Sequence, residues 1–347
     1  PWLVGPMVPR IFGPYEAIRR DYPIDEYLRD IAGSGVVKSV YVQTNWAPDA
    51  AEEEVAWVQG VADAHGWPHA IVGYADLMAD DVRGPYRPRN DMKILKGAED
   101  DYAHVTQTGF FVTIKGTQQD TVIYCGDRWA AFAGNGLGYN QWCPLSFDGD
   151  EAYFNSLNSW DLHEPSGRWR AAADNNWVKN ASFEADRKDM PSANKPTQER
   201  LMGWETTVIK GTKISLDRNS PMLNHQNSTE DRKQVIGERS LNMSDRADFT
   251  RKVHQEIASS PYVKFEDGDY MMTAKVRNSD GFKTLEIYAE SGGKRFTTRI
   301  SGENSKWKTI RIDRIRVSGN KVEIGFLADG EAGAFCRVDD VSFVKAE

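Results

Sequence analysis

The 347-residue sequence predicts a mainly β protein, with an N-terminal α/β segment, a four-stranded blade-like β-meander and a C-terminal jelly-roll-like β-sandwich. Three observations predict it. A helical apolar period is confined to residues 1–82, short strands joined by Gly, Asn and Asp turns fill 104–173, and period-two alternation with glycine turns fills 174–347.

In the first segment, "YPIDEYLRDIAGSG" spaces Ile24, Tyr27, Leu28 and Ile31 at a helical period and stops at Gly33. "VVKSVYVQTNW" reads as a strand and "AAEEEVAWVQGVADAHG" as a second helix, with Ala56, Val58, Val61 and Ala62 available to a core. "HAIVGYADL" reads as a second strand, so the order is βαβ and a parallel pairing is expected. The stretch "DDVRGPYRPRND" is polar, proline-containing and aperiodic, which makes residues 83–103 a junction.

The meander is read from "HVTQTGFFVTIKG", "DTVIYCGDRW", "YNQWCPLSF" and "GRWRAAA". The sandwich is read from strands such as "DYMMTAKVRN", "KTLEIYAESGG", "WKTIRIDRIRV", "KVEIGFLAD" and "AFCRVDDVSFV". In the last of these, Ala334, Cys336 and Val338 share one phase while Val341 and Phe343 show the opposite one. A β-bulge at Asp339 and Asp340 reconciles the two.

Composition excludes several classes. A net charge of −8 with no basic stripe argues against a nucleic-acid partner. No apolar run approaches the length of a membrane span, so no membrane partner is expected. Cys125, Cys143 and Cys336 are odd in number and lack CxxC spacing, which argues against both a disulfide framework and a thiolate zinc site.

The stretch "YCGDRWAAFAGNGLGYNQWCPLSFDGD" sets rings beside amides, as a sugar-binding surface does. Its alternation assigns Tyr124, Trp129, Trp142 and Phe147 to packing, leaving Trp129, Asn135, Tyr139 and Asn140 as candidate rim residues for a sugar. In the sandwich the candidate sugar platforms are Trp177, Trp204, Tyr262 and Tyr288, with Trp307 read as core.

"GDRW", "YNQWCPLSF", "WDLHEPSGRWR" and "NASFEADR" resemble the C-terminal part of a subgroup of glycoside hydrolase family 43, over about residues 105–345. The resemblance implies the last blade of a propeller followed by a sandwich like those of carbohydrate-binding modules. It also implies a structural calcium near the first and last sandwich strands, for which "NASFEADR" and "CRVDDVSF" supply Glu184, Asp339 and Asp340 as hard oxygen donors. The family's paired catalytic carboxylates come from earlier blades, and no residue of this sequence matches them. Residues 1–82 are instead similar to an early part of the TIM barrel of amidohydrolases of the pyrone dicarboxylate lactonase group, but the chain holds no His-x-His metal pair.

The expected function is therefore carbohydrate binding by a non-catalytic part of a family 43-like glycosidase, fused to an incomplete amidohydrolase-like segment. The expected partner is a polysaccharide or oligosaccharide, met outside the cytoplasm if the glycosidase likeness governs. The alternatives are a glycoside hydrolase acting on plant polysaccharide, a metal-dependent amidohydrolase or lactonase, and a sandwich without ligand.

Overall fold

The computed structural model describes residues 16–44, 46, 50–74, 96–97, 106–128, 139–149, 151–184, 201–212, 223–224, 227–237 and 239–346. The chain divides into two compact units, Pro1–Met92 and Lys93–Glu347.

In the first unit, helix α1 (Ile24–Asp30) precedes strand β1 (Val40–Val42), helix α2 (Ala51–His65) and strand β2 (Ala70–Val72). β1 and β2 pair in parallel with Val40 opposite Ala70, which is the βαβ unit that the sequence predicts. α2 stops where Gly66 adopts φ 73° and donates its N–H to the Ala62 carbonyl at 2.7 Å.

The core of this unit is smaller than expected. Val58 is buried, but Ala56 is exposed and Val61 and Ala62 are only half-buried. Two three-residue strands offer too little area to cover a whole helix face. The other buried residue of α2 is Glu54, which accepts hydrogen bonds from the Tyr41 hydroxyl at 2.7 Å and the Thr44 N–H at 2.9 Å.

The second unit opens with β3 (Gln107–Lys115), β4 (Asp120–Arg128), β5 (Tyr139–Asp148) and β6 (Glu151–Phe154), paired in that order as an antiparallel meander. The expected fourth strand is displaced. Asp148 pairs with Glu151 across a tight turn that Gly149 permits at φ 58°, so "EAYF" closes the sheet in place of "GRWRAAA". β7 (Trp160–His163) and β8 (Arg168–Ala171), which carries "RWRA", form a separate hairpin.

The sandwich comprises β9 (Glu205–Lys210), β10 (Leu223–Asn224), β11 (Ser240–Ser244), β12 (Phe249–Ala258), β13 (Gly268–Asn278) and β14 (Phe282–Ser291). It continues with β15 (Lys294–Arg299), β16 (Asn304–Val317), β17 (Lys321–Gly330) and β18 (Phe335–Lys345). These make two five-stranded antiparallel sheets, ordered β10-β11-β18-β13-β16 and β15-β14-β17-β12-β9.

Alternate residues of each strand fill the layer between the sheets, with Val253, Ile287, Ile324 and Phe326 from one sheet and Met272, Val276, Cys336 and Val338 from the other. Thr273 pairs with Ser342 and Lys275 with Asp339, so Ala274 alone faces Asp340 and Val341. That one-residue slip, with Asp340 at φ 47°, lets Val338 and Val341 both point into the core.

Candidate functional site

Within the second unit, the meander, the segment after it and the sandwich enclose a cleft of about 940 Å³. β5 contributes Asn140, Gln141 and Trp142, and the chain after β6 contributes residues 155–158. The opposite wall comes from residues 175–182, the end of β12 and the β18 bulge.

Cross-strand register sets which meander residues share a face, while exposure varies along each face: Phe111 is 54% exposed in the row of the buried Tyr124, and Cys125 is buried in the row of Trp142. Phe110, Cys125 and Trp142 lie in one row and therefore share a face, while Phe111, Tyr124 and Cys143 in the next row point the other way. Tyr124 and Cys143 are buried with Leu145 and Phe154. The first row carries exposed rings: Phe110 is 52% exposed and Trp142 51%, in edge contact with centroids 5.9 Å apart. The assignment of Trp142 and Phe147 to packing is thus corrected, because both rings stand in solvent and only Tyr124 of the described group is buried.

Carboxamides brace the walls. Asn175 Oδ1 accepts the N–H groups of Asn158 at 2.9 Å and Ser159 at 3.0 Å. Gln255 Oε1 accepts the Lys179 N–H at 3.0 Å, and its Nε2 donates to the Lys179 carbonyl at 3.1 Å. Asn176 Oδ1 accepts the Phe343 N–H at 3.0 Å, and its Nδ2 donates to the Val341 carbonyl at 3.0 Å.

On the meander side, Trp160 Nε1 donates to the Trp142 carbonyl at 2.9 Å. Asn155 Nδ2 donates to the Pro144 carbonyl at 3.0 Å and to Ser146 Oγ at 2.9 Å, whereas its buried Oδ1 has no partner among the described residues. An orphaned buried acceptor costs about 1–3 kcal/mol.

The structure separates the remaining sequence-predicted residues. Asn140 lines the cleft and is exposed, and Tyr139 is the first residue of β5. Trp129 and Asn135 lie outside the described residues. Trp177 also lines the cleft, but its half-buried ring packs on Phe265 at 5.0 Å. Tyr262 is exposed on the turn after β12, and its ring leans on the cleft-lining Tyr153 at 5.1 Å.

Two platform assignments are corrected. Trp204 is core, 1% exposed, stacked on Phe183 and donating Nε1–H to the Asn180 carbonyl at 3.2 Å. Tyr288 points outward from β14 yet is fully covered, with the Arg295 guanidinium 4.0 Å above its ring and its hydroxyl donating to Glu323 at 2.8 Å. Neither ring has a free face for a sugar. Trp307 is half-buried and donates Nε1–H to the buried Asp231 at 2.8 Å.

Glu184 and Asp340 line the cleft, and the buried Asp339 lies near both charges. Glu184 accepts the Arg239 N–H and pairs with its guanidinium at 3.3 Å, both side chains being buried. Asp340 pairs with Lys275 at 2.9 Å and accepts the Ile236 N–H at 3.2 Å. Asp339 is fully buried and accepts the Asp340 N–H at 2.8 Å. Burial, with the charges of Asp340 and Glu184 beside it, pushes the Asp339 carboxyl well above the usual carboxylate range. Among the described residues, no three His, Cys, Asp or Glu side chains converge as a metal-ligand set.

No protein-family model matches the chain. Over 82 residues it is 44% identical to the uncharacterized protein y4mH of Sinorhizobium fredii, an alignment covering 24% of this chain and 28% of that protein. The chain thus spans less than a third of that relative's length. Among solved structures, TmCBM61 in complex with β-1,4-galactotriose is 17% identical with a TM-score of 0.36, covering 49% of this chain and 99% of that one. An exo-β-1,3-galactanase from Phanerochaete chrysosporium with β-1,3-galactotriose is 14% identical with a TM-score of 0.23, covering 69% and 44%. At these identities and TM-scores the overlaps say nothing of function.

Proposed function

We propose that this chain binds glycan, in the cleft beside Trp142. One observation carries the reading: an exposed indole stands on a sheet on the same face as Asn140 and lines the cleft with Asn158, and neither carboxamide side chain holds a hydrogen bond among the described residues. A sugar's C–H face stacks on a ring while its hydroxyls require directed donors and acceptors, and the cleft offers both on braced walls. The same geometry moves the expected binding surface from the sandwich face to the stretch containing Trp142, because Trp204 and Tyr288 are covered.

A glycan array on the full chain, followed by calorimetry on the best ligand, tests this. Trp142→Ala should weaken binding roughly tenfold, equivalent to about 1.4 kcal/mol. Unchanged affinity in that variant would remove Trp142 from the site, and an array without hits would remove the reading.

A second reading concerns the acidic corner, where we propose calcium. The reading rests on Asp339, a buried carboxyl beside Asp340 and Glu184, and calcium would take the place that Arg239 and Lys275 hold on those two. Carboxylate oxygens are the hard donors that calcium takes. Calcium at a hundredfold excess over Kd should then add about 2.7 kcal/mol of stability. The check is the melting temperature with calcium and with EDTA, and indifference to both in metal-free protein would exclude the site.

A further inference from the structure

Four of the residues lining the cleft carry ionisable charge: Lys179, Glu184, Glu256 and Asp340. Three of these are neutralised locally. Glu184 pairs with Arg239 at 3.3 Å, Asp340 with Lys275 at 2.9 Å, and Glu256 with Lys321 at 3.6 Å. Lys179 is exposed and has no ion pair among the described residues. Lys179 is thus the cleft-lining charged side chain without an ion pair among the described residues.

That cation is held in place. Gln255 grips the Lys179 backbone through both its N–H and its carbonyl, and the flanking Val178 and Asn180 are buried. The root of the Lys179 side chain is thus fixed on the wall, with the flexible stem and ammonium left outside. An ammonium on a fixed root is a point-charge donor suited to a carboxylate, and the unengaged amides of the cleft-lining Asn140 and Asn158 are neutral partners for hydroxyls.

We propose that the cleft prefers an acidic glycan, one carrying the carboxylate of a uronic acid, and that Lys179 is the residue that reads this charge. The inference rests on the glycan-binding reading of the cleft. No bond is made or broken, since the residue acts by electrostatic selection alone.

The experiment titrates the full chain with oligogalacturonides and with neutral galactose oligomers of equal length, at low and at high salt. The uronate series should bind about tenfold tighter at low salt, and the advantage should shrink as salt screens the exposed charge. Lys179→Met should abolish the preference, read as the ratio of uronate to neutral affinity, while Lys179→Arg should keep that ratio. Circular dichroism establishes that the variants fold. Equal affinity for both series, or a preference that survives Lys179→Met, would overturn the assignment while leaving glycan binding intact. Failure to bind either series, or any glycan on the array, would overturn both.

Discussion

Trp142 of the meander is half exposed, whereas Trp204 at the start of the sandwich is 1% exposed and lies between Phe183 and Phe326, each 5.6 Å away. Trp142 lies within β5, and Trp204 immediately precedes β9. What differs is the second layer. The inner face of each sandwich sheet meets the other sheet, so rings such as Phe249, Phe326 and Phe343 are wholly enclosed. The meander's buried cluster is small, formed by Tyr124, Cys143, Leu145 and Phe154, and Phe110, Phe111, Trp142 and Phe147 stay about half exposed around it. A ring stays open to ligand where no second layer encloses it.

Trp204→Ala is the strongest way to break this comparison. Removing a buried indole leaves a cavity between the sheets and should cost about 3–5 kcal/mol of folding free energy, measured by denaturant unfolding. A cost below about 1 kcal/mol would show that the site collapses around the change and that the ring is not enclosed in solution.

An intermediate effect is expected at Asp339. Its folded-state pKa is raised by burial and by the charges of Asp340 and Glu184. The sign follows from linkage: the protonated carboxyl stabilises the fold fully below the unfolded value of about 4, and this contribution is lost as pH rises through the folded value. In EDTA, melting temperature should therefore fall with rising pH, and Asp339→Asn should flatten that slope by several degrees, given roughly 2–4 °C per kcal/mol in a unit of this size. Under the calcium reading, added calcium should suppress the slope in the parent and not in the variant. An identical pH profile in parent and variant would mean that Asp339 titrates as an ordinary carboxylate.

The smallest effect on stability belongs to Trp142→Ala. A half-exposed ring on an open sheet face should cost less than about 1 kcal/mol, even as glycan affinity drops. Calorimetry and unfolding on the same variant sharpen the contrast with Trp204, because one substitution should move binding and the other folding. A large loss of stability from Trp142→Ala would return the ring to the packed class.

The strands β13, β14, β16, β17 and β18 were legible because alternation reports a face covered along its whole length. β12 carries a weaker signal for a physical reason. Its inward positions are Phe249, Arg251, Val253, Gln255 and Ile257, and the two polar ones break the apolar pattern. They are tolerated inside because Arg251 pairs with Asp245 at 2.6 Å and donates to the Ser244 carbonyl, while Gln255 binds the Lys179 backbone. Those partners lie elsewhere along the chain and cannot be read from the strand itself.

By itself, the sequence determined the βαβ order of the first segment, the all-β character of the rest and a bulge in the last strand, whose phase change is visible in the apolar pattern and which the register places one residue on, at Asp340 and Val341. Each is a local matter of period, turn chemistry and side-chain alternation. Tertiary structure alone decided that Trp142 is open and Trp204 closed, that Gln255 fixes Lys179 from 76 residues away, and that Glu184 meets Arg239 across 55. Those outcomes depend on which layer covers which face, and coverage comes from residues far apart in the chain, where composition and spacing carry no record of the meeting.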